Sequence, residues 1–145
     1  FHWYIVGEGP DLAKNRETAD ELSLHDVLTF CGAENNPYPY IKNADVFALY
    51  SAYEGFPMVM VEAMAHALPV VSFDYKCGPR DIIDHGTNGL IVSDGDIPAL
   101  AAALLRLMTD DKLRKTMSKN AKNIVNRYSE EKVMEQWVLT EPKAG

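Results

Sequence analysis

The chain has 145 residues, 47% apolar and 24% charged, which suits one soluble domain with a substantial core. Its 14 basic and 21 acidic side chains give a net charge of −7 with no basic block. That balance argues against nucleic acid as a partner, because such affinity rests on phosphate neutralisation. No apolar run reaches the roughly 18 residues that a membrane span needs. The stretch from Phe56 to Phe73 comes nearest, and Glu62, His66 and Pro69 interrupt it.

Residues 2–6, His-Trp-Tyr-Ile-Val, read as a buried strand ended by Gly7-Glu8-Gly9-Pro10. Pro10 suits a first helical turn, so a helix over about 10–23 follows. Val27 to Cys31 is a second strand, closed by Gly32; a loop over 35–39 and a short helical turn over 40–44 lead to a third strand, 46–50. A loop at 51–57 precedes a helix at 58–67, and Pro69 to Phe73 is an almost wholly apolar fourth strand. After a loop at 74–79 and a short helix at 80–85, a turn at Gly86-Thr87-Asn88-Gly89 opens a fifth strand, 90–92. Helices over 96–109 and 111–127 follow, then a last one from Ser129, where Glu130 and Glu131 suit the positive helix end. Apolar strands alternating with helices predict a doubly wound, Rossmann-like parallel α/β sheet covered on both faces.

Cys31 and Cys77 have neither metal nor redox spacing and read as structural thiols in a reducing cytoplasm. His2, His25, His66 and His85 are scattered, no serine sits in a Gly-x-Ser-x-Gly setting, and no metal site is expected. No signal peptide is visible, and Phe1 starts almost directly in a strand without an initiator methionine, as in a piece of a longer protein.

Ligands of doubly wound sheets bind beyond the carboxyl ends of the strands, here the loops 7–10, 32–39, 51–57 and 74–79. Gly7 and Gly9 start a dinucleotide fingerprint, but Leu12 replaces its third glycine, so a tight turn that lets a ligand approach is the better reading. The helix at 58–67 carries one carboxylate, Glu62, in an apolar run, and an unpartnered buried carboxylate costs several kcal/mol. Either Glu62 faces solvent or something polar meets it. The first N–H groups of that helix, at Met58 and Val59, lack intrahelical partners and suit a diphosphate, and Gly55 permits close approach. Glu62, one turn deeper, is placed to accept hydrogen bonds from a vicinal diol such as ribose. The plainer alternative is a solvent-facing Glu62 and a capping Glu54.

Glu54-Gly55-Phe56-Pro57-Met58-Val59-Met60-Val61-Glu62 resembles the Glu-x7-Glu signature of the family-four retaining glycosyltransferases, which have the GT-B fold. Gly7-Glu8-Gly9-Pro10, Phe30-Cys31-Gly32, Ala44-Asp45-Val46, Pro69-Val70-Val71, Gly78-Pro79-Arg80-Asp81-Ile82-Ile83 and Asn88-Gly89-Leu90-Ile91-Val92 fall in that family's order. Cys77-Gly78-Pro79-Arg80 is similar to a bacterial subgroup that builds capsules or exopolysaccharides. The resemblance implies the C-terminal, donor-binding domain of an enzyme moving a glycosyl unit from a nucleotide sugar, often a UDP-sugar, to an acceptor hydroxyl with retention. It implies no metal or other cofactor. Glu62 would hold the ribose hydroxyls, and Glu54 would act at the donor sugar as the catalytic carboxylate. Backbone N–H groups of Gly55, Phe56, Pro57, Met58 and Val59 (all but the proline) would meet sugar and diphosphate; Gly7 and Gly9 would border the cleft, and the loop after Phe30 would approach the base.

Three departures carry consequences. A glycine often stands where Ala67 is, so the helix exit differs. The strand–helix unit that precedes residue 1 in the family, with its arginine and lysine, is not in the sequence, nor is an acceptor-binding N-terminal domain. A gap is therefore expected between the strands at 2–6 and 46–50, and the isolated chain is expected to be inactive. The acceptor, a glycan or a lipid-linked one, would be bound by that other domain, with a cytoplasmic location and room for peripheral membrane association in the full-length enzyme. Residues 129–145 are read as a helix and tail that either cross to it through Met134, Trp137 and Val138 or, the favoured reading, pack on this domain. A GT-B epimerase or phosphorylase and a non-catalytic sugar-nucleotide module are the alternatives.

Overall fold

The computed structural model describes residues 1–51 and 55–140, with side chains described through Trp137. It divides into two compact units, Phe1–Asn43 and Ala44–Gly145. The five expected strands are all present, and they form a two-stranded and a three-stranded parallel sheet, divided at the gap expected between the strands at 2–6 and 46–50.

The first unit is a βαβ unit with one further helix: β1 (Trp3–Val6), α1 (Leu12–Glu21), β2 (Leu28–Gly32) and α2 (Tyr38–Asn43). β1 and β2 pair in parallel, Trp3 with Leu28 and Ile5 with Phe30, and the register shifts between Ile5 and Val6. Arg16 of α1 lies 4.9 Å over the Phe30 ring, so α1 covers the face that Ile5 and Phe30 share. On the other face Tyr4 meets the Tyr40 ring of α2 at 5.6 Å but is still 56% exposed. β1 is thus not the fully buried strand expected of residues 2–6. One crossover helix covers one face, and this sheet has only one crossover.

The second unit holds the main core. It contains β3 (Phe47–Leu49), α3 (Met58–Ala65), β4 (Val70–Asp74), α4 (Pro79–Ile82), β5 (Gly89–Ser93), α5 (Ile97–Thr109), α6 (Asp111–Ala121), α7 (Val125–Tyr128) and α8 (Glu130–Thr140). Its sheet order is β3-β4-β5, all parallel, and central β4 buries Val70, Val71, Ser72 and Phe73. Met60 and Met64 of α3, Ile82 of α4, Leu107 of α5 and Met117 of α6 pack there at 1% exposure or less. A Cβ on Gly89 would stand 2.4 Å from the Val70 carbonyl oxygen, so only glycine lets β5 lie this close to β4.

The helix expected over 111–127 is broken. α6 passes through a 3-10 turn, Lys122–Ile124, before α7, and this tighter turn keeps Ile124 in the core at 2% exposure. Asp96 and Asp110 cap α5 and α6, accepting hydrogen bonds from the Ala99 and Leu113 N–H groups at 2.9 Å. Along α8, Met134 and Trp137 are 56% and 70% exposed, and the Val138 side chain lies outside the described residues.

α3 ends earlier than residue 67. Ala67 adopts φ 63°, the left-handed conformation that glycine takes without penalty, and Leu68 N–H donates to the Ala63 carbonyl at 3.0 Å. Alanine therefore holds a backbone conformation that more often falls to glycine. The left-handed conformation costs an L-residue about 1–2 kcal/mol, part of which glycine returns as unfolded-chain entropy. Ala67→Gly is expected to stabilise the chain by about 0.5–1 kcal/mol in urea unfolding; a destabilised variant would refute that account of the helix exit.

Candidate functional site

β3 and β4 are parallel neighbours, so their carboxyl ends lie side by side and the segments after Leu49 and Asp74 gather there. The first of these segments leads into α3. Its Gly55 and Phe56 are exposed, Pro57 is buried, and Met58 and Glu62, one helical turn apart, share the exposed face while Met60, Val61, Ala63 and Met64 enter the core. That geometry answers how an apolar helix tolerates a carboxylate: Glu62 is on its outer side. His66 Nδ1 lies 2.8 Å from the Glu62 carbonyl oxygen, a contact with the backbone of Glu62. Glu54 lies outside the described residues.

The start of α3 differs from expectation at one donor. Met58 N–H is occupied by the Phe56 carbonyl at 2.9 Å, and Met60 N–H by the Pro57 carbonyl at 2.9 Å. Among the described residues Val59 N–H has no acceptor, so it is the donor left for a ligand at the positive helix end.

Two contacts fix this helix start. Gly78 adopts φ 106°, and a Cβ there would stand 2.4 Å from Pro57 Cδ, so the segment after β4 presses its backbone on the ring that precedes α3. The Phe56 ring meets the Tyr128 ring of α7 with centroids 5.6 Å apart and planes tilted by 50°. The Tyr128 hydroxyl donates to the Asp81 carbonyl at 2.9 Å, and Arg127 donates to the same oxygen. α7 thereby ties α4 to the α3 entrance. Tyr128 carries no signal in the sequence, since only the fold brings it to Phe56.

Asp74, the last residue of β4, accepts from Arg80 Nε at 2.7 and 2.9 Å and also from a terminal guanidinium nitrogen. These bonds span the segment 75–79 and hold it as a closed loop. The sequence signal for this closure is local, an acid ending a strand followed by an arginine opening the next helix. Hydrogen bonds from Arg80 hold the Asp74 carboxyl below its usual range, against a smaller opposing effect of burial. A depressed carboxylate adds stability that is complete above its unfolded value, about 3.9, and is lost as pH falls through its lower folded value. Asp74→Asn is therefore expected to be modestly less stable than wild type at pH 7, since Arg80 is largely exposed and screened. The gap should close in acid; urea midpoints that differ equally at pH 7 and below pH 3 would contradict the pairing.

In the first unit Gly7 and Gly9 lie just beyond β1, and Gly7 N–H donates to the Gly32 carbonyl at 2.7 Å, drawing the ends of β1 and β2 together. Beside them Tyr40 donates to Glu34 at 3.1 Å, and hydrogen bonding with Cys31, then Glu34, pushes its phenol up to about 12. The second unit thus brings together Gly55, Phe56, Pro57, Met58, Val59 and Glu62, while Gly7 and Gly9 belong to the first. Among the described residues no three His, Cys, Asp or Glu side chains gather into a metal-ligand group, and no helix is long and apolar enough to cross a membrane.

The family model for glycosyl transferases group 1 matches residues 1–124. An exopolysaccharide phosphotransferase of Streptomyces coelicolor is 34% identical over 134 residues, 92% of this chain and 14% of that protein. A poly(ribitol-phosphate) alpha-N-acetylglucosaminyltransferase of Staphylococcus aureus is 31% identical over 137 residues, 94% of this chain and 28% of that protein. Among solved structures, a S. aureus TarM variant in complex with fondaparinux, alpha-GlcNAc-glycerol and UDP superposes with a TM-score of 0.88 at 30% identity, over 95% of this chain and 28% of that one. The chain belongs to the group 1 glycosyl transferases, and its α/β fold with parallel sheets is that of the GT-B C-terminal domain.

Proposed function

We propose that this member of the group 1 glycosyl transferases supplies the donor-binding part of a retaining enzyme that moves a glycosyl unit from a UDP-sugar to a glycan or lipid-linked acceptor. The observation that carries the reading is the start of α3. An open helix N-terminus lies beside an outward carboxylate one turn deeper, at the carboxyl ends of two parallel strands. The UDP complex of the TarM variant supports the choice of nucleotide. Val59 N–H and the helix dipole would meet the diphosphate, and Glu62 would accept from both ribose hydroxyls. Glu54 would act at the donor sugar. The leaving diphosphate is stabilised by protein dipoles, with no metal required. The setting is cytoplasmic, at the inner membrane face when the acceptor is lipid-linked. α8, with Met134 and Trp137 exposed, would cross to an acceptor-binding domain.

The test is thermal unfolding of the 145-residue chain with UDP, GDP and ADP. UDP should raise the midpoint most, because binding to the folded state alone stabilises it by mass action. Equal indifference to all three would overturn the reading.

The chain covers 14% and 28% of the two relatives named above. We accordingly expect the isolated 145 residues to bind the nucleotide without transferring sugar. Incubation with labelled UDP-sugars and glycan acceptors should give no product above background; robust turnover would show that no other domain is needed.

A further inference from the structure

α5 and α6 form an outer layer of the second unit that the donor site does not use. α5 packs on β4 and β5, and α6 packs on α5. α5 buries Leu100, Ala103, Leu104 and Leu107, yet it also presents an apolar row to solvent. Ile97 and Leu105 are 69% and 58% exposed, and exposed Ala101 lies between them at spacings of four. After Asp110 alone the chain enters α6, which turns Met117 and Ala121 inward.

The outer face of α6 is basic. Lys112, Lys115 and Lys119, with Asp111, Thr116 and Asn120, line a shallow groove, and exposed Lys122 follows in the 3-10 turn. Spacings of three and four put these ammonium groups on one side of the helix, where like charges repel. Among the described residues no ion pair engages Lys112, Lys115, Lys119 or Lys122. Asp111, the carboxylate in the groove, is held by Arg114 at 2.8 Å. A chain of net charge −7 therefore keeps an uncompensated basic face on one helix of a hairpin whose other helix carries an exposed apolar row.

We infer that the α5–α6 hairpin docks on an anionic lipid bilayer, the α6 lysines meeting lipid phosphates and Ile97, Ala101 and Leu105 entering the interface. Lysines alone would suit any polyanion; an apolar row on the preceding helix of the hairpin selects a surface with a hydrocarbon layer under its charge. The purpose of this docking rests on the lipid-linked-acceptor reading above, whereas its content rests on the two helix faces.

The experiment is co-sedimentation of the 145-residue chain with phosphatidylglycerol–phosphatidylcholine vesicles and with phosphatidylcholine vesicles. Wild type should bind only the anionic vesicles. The combined Lys112→Gln, Lys115→Gln, Lys119→Gln variant should bind them roughly a hundredfold more weakly, at about fivefold per lysine. An equal charge change elsewhere, Lys14→Gln with Lys42→Gln and Lys132→Gln, should leave binding nearly intact. Ile97→Ser with Leu105→Ser, which alters no charge, should weaken it roughly tenfold. The inference falls if anionic vesicles are not preferred, if both lysine triples lose equally, or if the serine variant binds like wild type, which would leave a polyanion groove. Displacement by inorganic phosphate at matched ionic strength would likewise replace the bilayer with a free anion. UDP-induced stabilisation, measured in parallel, keeps the two readings apart. Vesicle binding without it counts against the donor site alone, and UDP stabilisation without vesicle binding counts against the hairpin alone.

Discussion

Glu62→Ala is expected to weaken UDP binding by roughly a hundredfold while barely changing the stability of the free chain. The asymmetry follows from where Glu62 sits. Its neighbours Val61 and Ala63 are buried, but its own side chain is on the outer face of α3, and no hydrogen bond or ion pair engages its carboxylate among the described residues. Removing it leaves no orphaned partner, and alanine is the better helix former. With the nucleotide bound, the same carboxylate would accept two charge-assisted hydrogen bonds, each worth about 1.5–3 kcal/mol, so the lower end already gives about a hundredfold. Glu62→Gln should fall between wild type and Ala, since it keeps an acceptor and loses the charge. Calorimetric titration with UDP, paired with urea unfolding, separates the two effects. An unchanged affinity would make Glu62 an ordinary solvated residue.

Gly78→Ala is expected to cost about 3 kcal/mol of stability and to weaken UDP binding as well. A positive φ costs an L-residue about 1–2 kcal/mol, and overpacking a well-packed contact costs about 1–3 kcal/mol more. Here the φ is 106° and the obstacle is Pro57 Cδ at 2.4 Å. Pro57 is buried and its ring is rigid, so relief must come from moving the start of α3. Gly86→Ala is the matched control, with φ 80° and nothing within 4 Å of its Cβ. It should show the conformational cost alone and leave UDP binding unchanged. If Gly78→Ala behaves like Gly86→Ala, the contact with Pro57 does not hold the helix start.

Much of this architecture is legible in local sequence, because local physics dictates it. Val70 to Phe73 is apolar enough to be a strand buried on both faces, and it is the centre of the larger sheet. Glu62 announces itself as one carboxylate in an apolar helix. What sequence reading misses is non-local. The gap between the strands at 2–6 and 46–50 is legible only through the family resemblance, since nothing within β1 or β3 by itself says that they do not pair. The contact of the Phe56 and Tyr128 rings joins residues from distant segments. The α6 lysines form no block in the sequence, and only helical spacing collects them. Ala67 shows the reverse case, in which a left-handed backbone persists although the residue type argues against it. Glu54, the other carboxylate of the signature, lies outside the described residues, so its role stands on the family resemblance.

The central claim is that the start of α3 is the nucleotide-diphosphate site. Its most direct test is a titration of the isotope-labelled 145-residue chain with UDP, followed by amide NMR. The account predicts that the largest shifts fall on Gly55, Phe56, Met58, Val59 and Glu62, with Val59 N–H moving as it gains an acceptor, and that Glu62→Ala abolishes them at the same UDP concentration. Saturable UDP binding that leaves these amides unmoved would contradict it.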